Sequence, residues 1–94
     1  MAINHHVYEN KIFENEDFNL KALKNGDYES CLFKNCDFSN ADLFAQNFID
    51  CQFIACNMSL ANIAKTALKN IKFTDCKLLG LHFEYCNDFL FEVN

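Results

Sequence analysis

Residues 31–53 read CLFKNCDFSNADLFAQNFIDCQF, and Cys31, Cys36 and Cys51 in it are each followed two places later by Phe33, Phe38 and Phe53. The common interval is five, which is neither the 3.6-residue period of a helix nor the two-residue period of a strand. Extending the register in both directions gives Tyr8, Phe13, Phe18, Leu23, Tyr28, Phe33, Phe38, Leu43, Phe48, Phe53, Met58, Ile63, Leu68, Phe73, Leu78 and Phe83. All are large and apolar. With 34 such residues in 94, chance would produce this run about once in ten million, so the chain is a repeat.

The residue two places before each large one is usually small. From Gly26 onward it runs Gly26, Cys31, Cys36, Ala41, Gln46, Cys51, Cys56, Ala61, Thr66, Ile71, Cys76, Leu81 and Cys86, which takes in all six cysteines. The residue just before the large one is often Asp or Asn, as at Asp17, Asp27, Asp37, Asp42, Asn47, Asn57 and Asn62. Two inward positions in five, one large and one small, require a backbone that bends once per five residues. Four bends close a square coil of about twenty residues, and coils then stack at strand spacing, roughly 4.8 Å. The expected fold is an all-β solenoid of four to five coils, stabilised by contacts between neighbouring coils. Its central columns are Phe13, Phe33, Phe53 and Phe73; Tyr8, Tyr28, Phe48 and Leu68; Phe18, Phe38, Met58 and Leu78; and Leu23, Leu43, Ile63 and Phe83. The stretch SLANIAKTALKN (59–70) also suits an amphipathic helix, but the five-residue register crosses it unbroken and takes precedence.

The units Asn40-Ala41-Asp42-Leu43 and Leu60-Ala61-Asn62-Ile63 resemble the pentapeptide-repeat family, over roughly residues 6–88. The resemblance implies a right-handed quadrilateral β-helix. The runs NCDFSNADL (35–43), FIDCQF (48–53) and LLGLHFEYC (78–86) resemble the N-terminal half of the quinolone-resistance (Qnr) proteins. That resemblance implies an acidic, duplex-like rod that binds DNA gyrase or topoisomerase IV and protects it from quinolones. Relative to those proteins the chain lacks a C-terminal half, its dimerising terminus and an inserted loop before residue 83.

Composition narrows the remaining choices. Thirteen acids face eight lysines and no arginine, for a net charge of −5. Direct binding to nucleic acid, which needs a basic patch, is disfavoured. No apolar run reaches 18 residues, so no membrane-spanning segment is expected. The N-terminus lacks the features of a signal peptide, and the expected location is the cytoplasm. Six cysteines there point away from a disulfide framework.

One domain, 1–94, is expected: a cap coil over 1–25, regular coils over 26–88 and an apolar end over 89–94. His6, Lys11, Glu16 and Lys21 occupy the small inward position of the first coil, where burial would be costly, so that coil should open to water. Ile71 and Leu81 are large for their position, and Gly80 lies beside Leu81, so the coil over 78–86 should be distorted. The register fails after Phe83, and Phe89, Leu90, Phe91 and Val93 form an apolar end. Either the natural protein continues beyond it, or the end stacks on a second copy or another partner.

No catalytic, cofactor or metal site is expected. Cys31, Cys36, Cys51, Cys56 and Cys76, with Ala41 and Ala61, are read as small buried residues; the paired cysteines point inward from different walls and do not converge as zinc ligands do. His5, His6 and His82 are read as surface residues. The filled coil leaves no pocket for paired carboxylates to work in. The candidate partner face is acidic: Asp17 and Asp37 stacked on one wall, with Asp27 and Asp42 on two others. Glu9, Glu14, Glu29 and Asp50 add charge to the same half. The leading reading is a DNA mimic for a type II topoisomerase; the alternative is a structural adaptor module without gyrase activity.

Overall fold

The computed structural model describes residues 6–86 with their side chains and 88–93 as backbone. The bend that the five-residue interval demands is a residue in the left-handed region. Asn10, Asn15, Ser30, Asn35, Asn40, Ala45, Asp50, Ala55, Leu60, Lys65, Asn70 and Asp75 all have φ between 53° and 61°. Each lies two places after a central residue. Gly80, at φ 75°, continues the series. Asn and Asp tolerate this conformation better than other side chains, which accounts for seven of those positions.

Between corners the backbone is extended. The strands are β1 (Val7–Glu9), β2 (Ile12–Glu14), β3 (Asp27–Glu29), β4 (Leu32–Lys34), β5 (Asn47–Ile49), β6 (Gln52–Ile54), β7 (Ala67–Thr74) and β8 (Asp88–Val93). They form two parallel ladders, β1-β3-β5-β7 and β2-β4-β6-β7. Every pairing in them steps by twenty residues: Tyr8 to Tyr28, Phe48 and Leu68, and Phe13 to Phe33, Phe53 and Phe73. These ladders make two walls of a square prism, wall 1 centred on the Tyr8 column and wall 2 on the Phe13 column. Walls 3 and 4, centred on the Phe18 and Leu23 columns, are held by isolated bridges such as Asp17–Asp37 and Asp42–Asn62. They turn their corners through bonds from Ala41 N–H to Phe38 O (2.9 Å) and Ala61 N–H to Met58 O (3.2 Å). A turn with positive φ at its third residue is type II. The segment 59–70 is thus corner, bridge and strand, with no helix.

About three regular turns result, fewer than the four to five expected. The fourth coil is distorted: Phe83–Tyr85 form a 3-10 helix, and the chain gains one residue before it rejoins the ladder. β8 pairs with β7 as Leu68↔Phe89, one residue beyond the twenty-residue step, and an irregularity between Lys69 and Ile71 restores the step at Phe73↔Val93. The register lost after Phe83 is therefore resumed by β8. The expected uncapped or truncated character of 89–94 concerns side chains outside the described residues.

The prism interior is made of rings. Phe13 stacks on Phe33 at 4.8 Å, Phe33 on Phe53 at 4.8 Å and Phe53 on Phe73 at 5.4 Å. Tyr28 stacks on Phe48 at 5.3 Å and Phe18 on Phe38 at 4.6 Å. Adjacent columns meet edge to face, as Phe33 and Phe38 do at 5.5 Å. Phe33, Phe38, Phe48, Phe53, Phe73, Leu43 and Met58 are fully buried, Phe18 is buried, and Phe13 and Leu78 are half-buried at the two ends. Each buried ring removes about 2–3 kcal/mol of apolar surface from water, and each good ring pair adds about 1 kcal/mol.

Cys31, Cys36, Cys51, Cys56, Ala41 and Ala61 are buried, and Cys76 is half-buried. The cysteines are more than small. Cys31 Sγ donates to Tyr8 O (3.3 Å), Cys36 to Phe13 O (3.4 Å), Cys51 to Tyr28 O (3.2 Å), Cys56 to Phe33 O (3.3 Å) and Cys76 to Phe53 O (3.1 Å). Thr66 Oγ1 makes the same bond to Leu43 O at 2.5 Å. The position selects a compact donor that ties its coil to a carbonyl of the coil before. Ala41, Ala61 and Ile71 fill the position without a donor, and Gln46 is its one buried polar residue left short: it is 3 % exposed, and its Oε1 has no hydrogen-bond partner.

Two substitutions test this account. Ala45→Gly relieves a left-handed alanine worth about 1–2 kcal/mol and adds unfolded-chain entropy worth about 0.4–1 kcal/mol. The urea midpoint should rise, by the equivalent of about 0.5–1 kcal/mol. Gln46→Thr removes a buried unpaired oxygen, a penalty of about 1–3 kcal/mol, and loses about one methylene of burial, about 0.8 kcal/mol. Its hydroxyl would reach for Leu23 O as that of Thr66 reaches for Leu43 O. The expected net effect is a gain of about 1 kcal/mol in urea unfolding; a loss would show that Gln46 packs better than its hydrogen bonding suggests.

Candidate functional site

A filled prism offers its walls to a partner. Three positions in five face outward: those just before, just after and two after each central residue. The candidate acids lie on three walls. Asp17 and Asp37 are neighbours on wall 3, bridged to Asn57 and Lys77 in the next two coils. Asp42 is on wall 4 beside Asn62, and Asp27 is on wall 1 beside Asn47.

All four precede a central residue, and all four have local work. Asp17 Oδ1 accepts from Asn19 N–H (2.9 Å), Asp37 Oδ1 from Ser39 N–H (2.9 Å) and Asp42 Oδ1 from Phe44 N–H (3.1 Å). Asn57 and Asn62 make the same bonds to Ser59 and Ala64, at 3.0 and 3.1 Å. These are Asx turns, in which the side chain caps the corner that follows. The Ser39 hydroxyl, and then its N–H, hold the Asp37 carboxyl below its ordinary range. Asp27 Oδ1 accepts from Asn47 Nδ2 at 2.6 Å.

The longest acidic strip on one wall is a different set. Wall 1 carries Glu9, Asp27, Glu29 and Asp50, with Glu9 in register with Glu29. Asp50 Oδ1 accepts from Asn70 Nδ2 at 2.7 Å. Like charges side by side in a ladder are destabilising. Sequence reasoning placed Glu9, Glu29 and Asp50 in the acidic half but not on one wall. The signal was available in their positions around the Tyr8 column, where Glu9 and Glu29 differ by one coil. Wall 2 is mixed, and Glu14 pairs with Lys34 at 3.8 Å. At the corner between walls 3 and 4, Leu20 and Leu60 are exposed with Asn40 in the coil between them, and Leu79, Phe44 and Tyr85 are exposed nearby.

His6 and His82 are exposed, and His82 lies 3.3 Å from Glu84; His5 is outside the described residues. Among the described residues no three His, Cys, Asp or Glu side chains come together as a metal would need. The thiols differ in environment. Burial pushes Cys51 up to about 12. Cys56, between two stacked sulfurs, is pushed up strongly by them and by burial. The Cys56 sulfur between them brings both Cys36 and Cys76 down to about 7, and of the two only Cys76, at the end of the column, is half-buried rather than buried. Iodoacetamide should alkylate Cys76 before Cys31, Cys36, Cys51 and Cys56, because the four others are buried and Cys76 combines a lowered thiol with partial exposure. The rate should climb with pH and level off above about 7, since the thiolate is the nucleophile; peptide mapping after partial reaction reads the order. Alkylation of Cys51 or Cys56 ahead of Cys76 would contradict this packing.

Comparisons with known proteins agree with the architecture. The family profile described as the pentapeptide repeat region matches residues 27–89. A search of curated proteins gives no significant match. Among solved structures, a trypsin-treated variant of QnrB1, a plasmid-mediated fluoroquinolone resistance protein, superposes with a TM-score of 0.55 at 20 % identity, over 95 % of this chain and 55 % of that one. Full-length QnrB1 gives 0.47 at 21 % identity, over 83 % and 49 %. The chain thus spans about half the length of these structures, and the likeness is one of fold.

Proposed function

The chain belongs to the pentapeptide-repeat family, and on that premise we propose that it is an acidic interaction module that takes the place of DNA on a type II topoisomerase, DNA gyrase or topoisomerase IV. The observation that carries this reading is charge density on a QnrB1-like rod. Residues 6–45, two coils, hold eight acids and four lysines. Two coils rise about 10 Å at strand spacing. That is a net four negative charges where a duplex presents roughly six over the same length. In this role the protein does no chemistry; its carboxylates occupy phosphate positions on a basic surface of the enzyme. Binding should weaken with salt, as exposed charge pairs are screened beyond about 10 Å at 0.1 M. Protection from quinolones would follow if the bound module excludes DNA from the drug-poisoned complex. The module would act in the cytoplasm, with its partner.

A second reading has its own support. The acids are spread over all four walls, and Leu20, Leu60 and Leu79 are exposed at and beside the corner between walls 3 and 4. Such a surface suits a structural adaptor that binds another protein and leaves gyrase alone.

Supercoiling by purified gyrase, with a fluoroquinolone present and at two salt concentrations, separates the two. Rescue or inhibition that fades with salt supports DNA mimicry; no effect at tens of micromolar supports the adaptor. Asp17→Asn with Asp37→Asn keeps both corner caps, as Asn57 and Asn62 show. If wall 3 makes the contact, the pair should cost about fivefold in affinity, the ~1 kcal/mol of two exposed ion pairs. Unchanged affinity alongside a loss for Glu9→Gln with Glu29→Gln would move the contact to wall 1.

A further inference from the structure

Among the described residues the N-terminal end of the prism is open, and its chemistry is unlike the rest of the molecule. The rings of Phe13 and Phe18 are stacked at 4.8 and 4.6 Å on the coil behind them, against Phe33 and Phe38. On their other side lies a cavity of about 290 Å³. Its floor is Phe13, Phe18 and Leu23, with Tyr8 and Tyr28 at one side. The Tyr28 hydroxyl is occupied by Lys24 O, and the Tyr8 ring is flanked by His6 at 6.0 Å. Two aromatic faces are thus presented to the opening.

The rim is cationic. Lys11, Lys21 and Lys24 line the cavity against Glu16 alone, in a chain whose net charge is −5. Lys11, Glu16 and Lys21 hold the position that elsewhere takes a small thiol donor. Their long side chains stay exposed, so the first coil is hollow where the others are filled. An apolar floor with a few charged groups at its edge is the usual form of a small-ligand site, and about 300 Å³ is the lower end of their size.

We propose that this mouth binds a small planar aromatic anion, of the size of a two-ring carboxylate. The ring system continues the Phe13 column by one layer, at the 4.8–5.4 Å spacing that column already keeps, and meets Phe18, whose ring stands at 67° to Phe13, edge to face. The carboxylate meets Lys21, Lys24 and Lys11 at the rim. Flat aromatic rings are selected over aliphatic chains because the floor offers stacking faces, and each such contact contributes about 0.5–1.5 kcal/mol beyond burial. The charge selects against cations and neutral rings. This site is independent of the acidic walls and of any topoisomerase.

The probe is naphthalene-2-carboxylate, titrated into the full chain and followed by NMR shifts of backbone amides and aromatic side chains. Saturable shifts confined to the first coil and to Tyr28 are expected. A dissociation constant of about 0.1–1 mM would suit so small a contact. Naphthalene-2-methanol, the neutral analogue, should bind at least fivefold more weakly. Lys21→Gln with Lys24→Gln should weaken the acid about tenfold and leave the urea midpoint unchanged, since both side chains are exposed. Absence of saturable shifts at several millimolar would overturn the proposal. So would equal binding of the alcohol, or shifts that map to the third and fourth coils.

Discussion

Nearly every fifth residue sits in the left-handed region, Leu20 and Asn25 of the first coil excepted, and the rest of the structure depends on it. For most side chains that conformation costs about 1–2 kcal/mol, and here it recurs from Asn10 to Gly80. No local gain covers such a repeated cost. What holds the corners in place is cooperative: bending brings each segment beside the one twenty residues on, and only then do the ladders and ring columns form. The coil is therefore meaningless alone and stable in a stack, which is the energetic signature of a solenoid. It also explains the tolerance for Ala45, Ala55, Leu60 and Lys65 at corners, where Asn would be easier. The stack over-determines the backbone, and individual corners can be poor.

The same bend dictates the interior. A corner every five residues sends two side chains inward per wall, and four walls leave room in the middle for one large group from each. The neighbour must be compact, and it lies close to a carbonyl of the preceding coil. Cys and Thr meet both demands, one by volume and one by donation, as Cys51 to Tyr28 O and Thr66 to Leu43 O show. Gly26 is the limiting case, since a Cβ there would lie 2.6 Å from His6 O. Five of the six cysteines, Cys31, Cys36, Cys51, Cys56 and Cys76, thus have a structural role in the stack.

The interval of five made the fold legible because it is set by sterics that every repeat shares. The columns could be written down from residue numbers alone, and the ladders step by those same numbers. Three features lay beyond that reading. The thiol bonds were hidden because Cys looks like any small apolar residue until its carbonyl is placed. The extra residue before Phe89 looked like the end of the repeat, because a one-residue insertion destroys a strict period while a backbone ladder absorbs it with an irregularity at Asn70. The hollow first coil was legible, since Lys11, Glu16 and Lys21 cannot be buried, but its aromatic floor with a lysine rim needed coordinates. The acids were readable as a group and not as a surface. Their wall depends on the number modulo twenty, and their role on the place within five.

That last dependence bears on function. Within each unit of five, two positions belong to the core, the position before the central residue caps a corner on walls 3 and 4 and stands in the ladder on walls 1 and 2, and the position two after it usually takes positive φ. One outward position, just after the central residue, is left without a structural demand. Asp17, Asp37 and Asp42 are accounted for by the corners they cap, and Asp27 by its bond from Asn47, so their acidity carries little information about a partner. Glu9, Glu14 and Glu29 stand at the unconstrained position, as do Lys24, Phe44 and Leu79. Glu9 and Glu29 are stacked on wall 1 at some electrostatic cost, with nothing in the fold to require it. A side chain that the architecture neither needs nor favours is where selection by a partner would be visible. On that argument the acidic strip of wall 1 has a stronger claim to a binding role than the aspartates that the repeat itself explains.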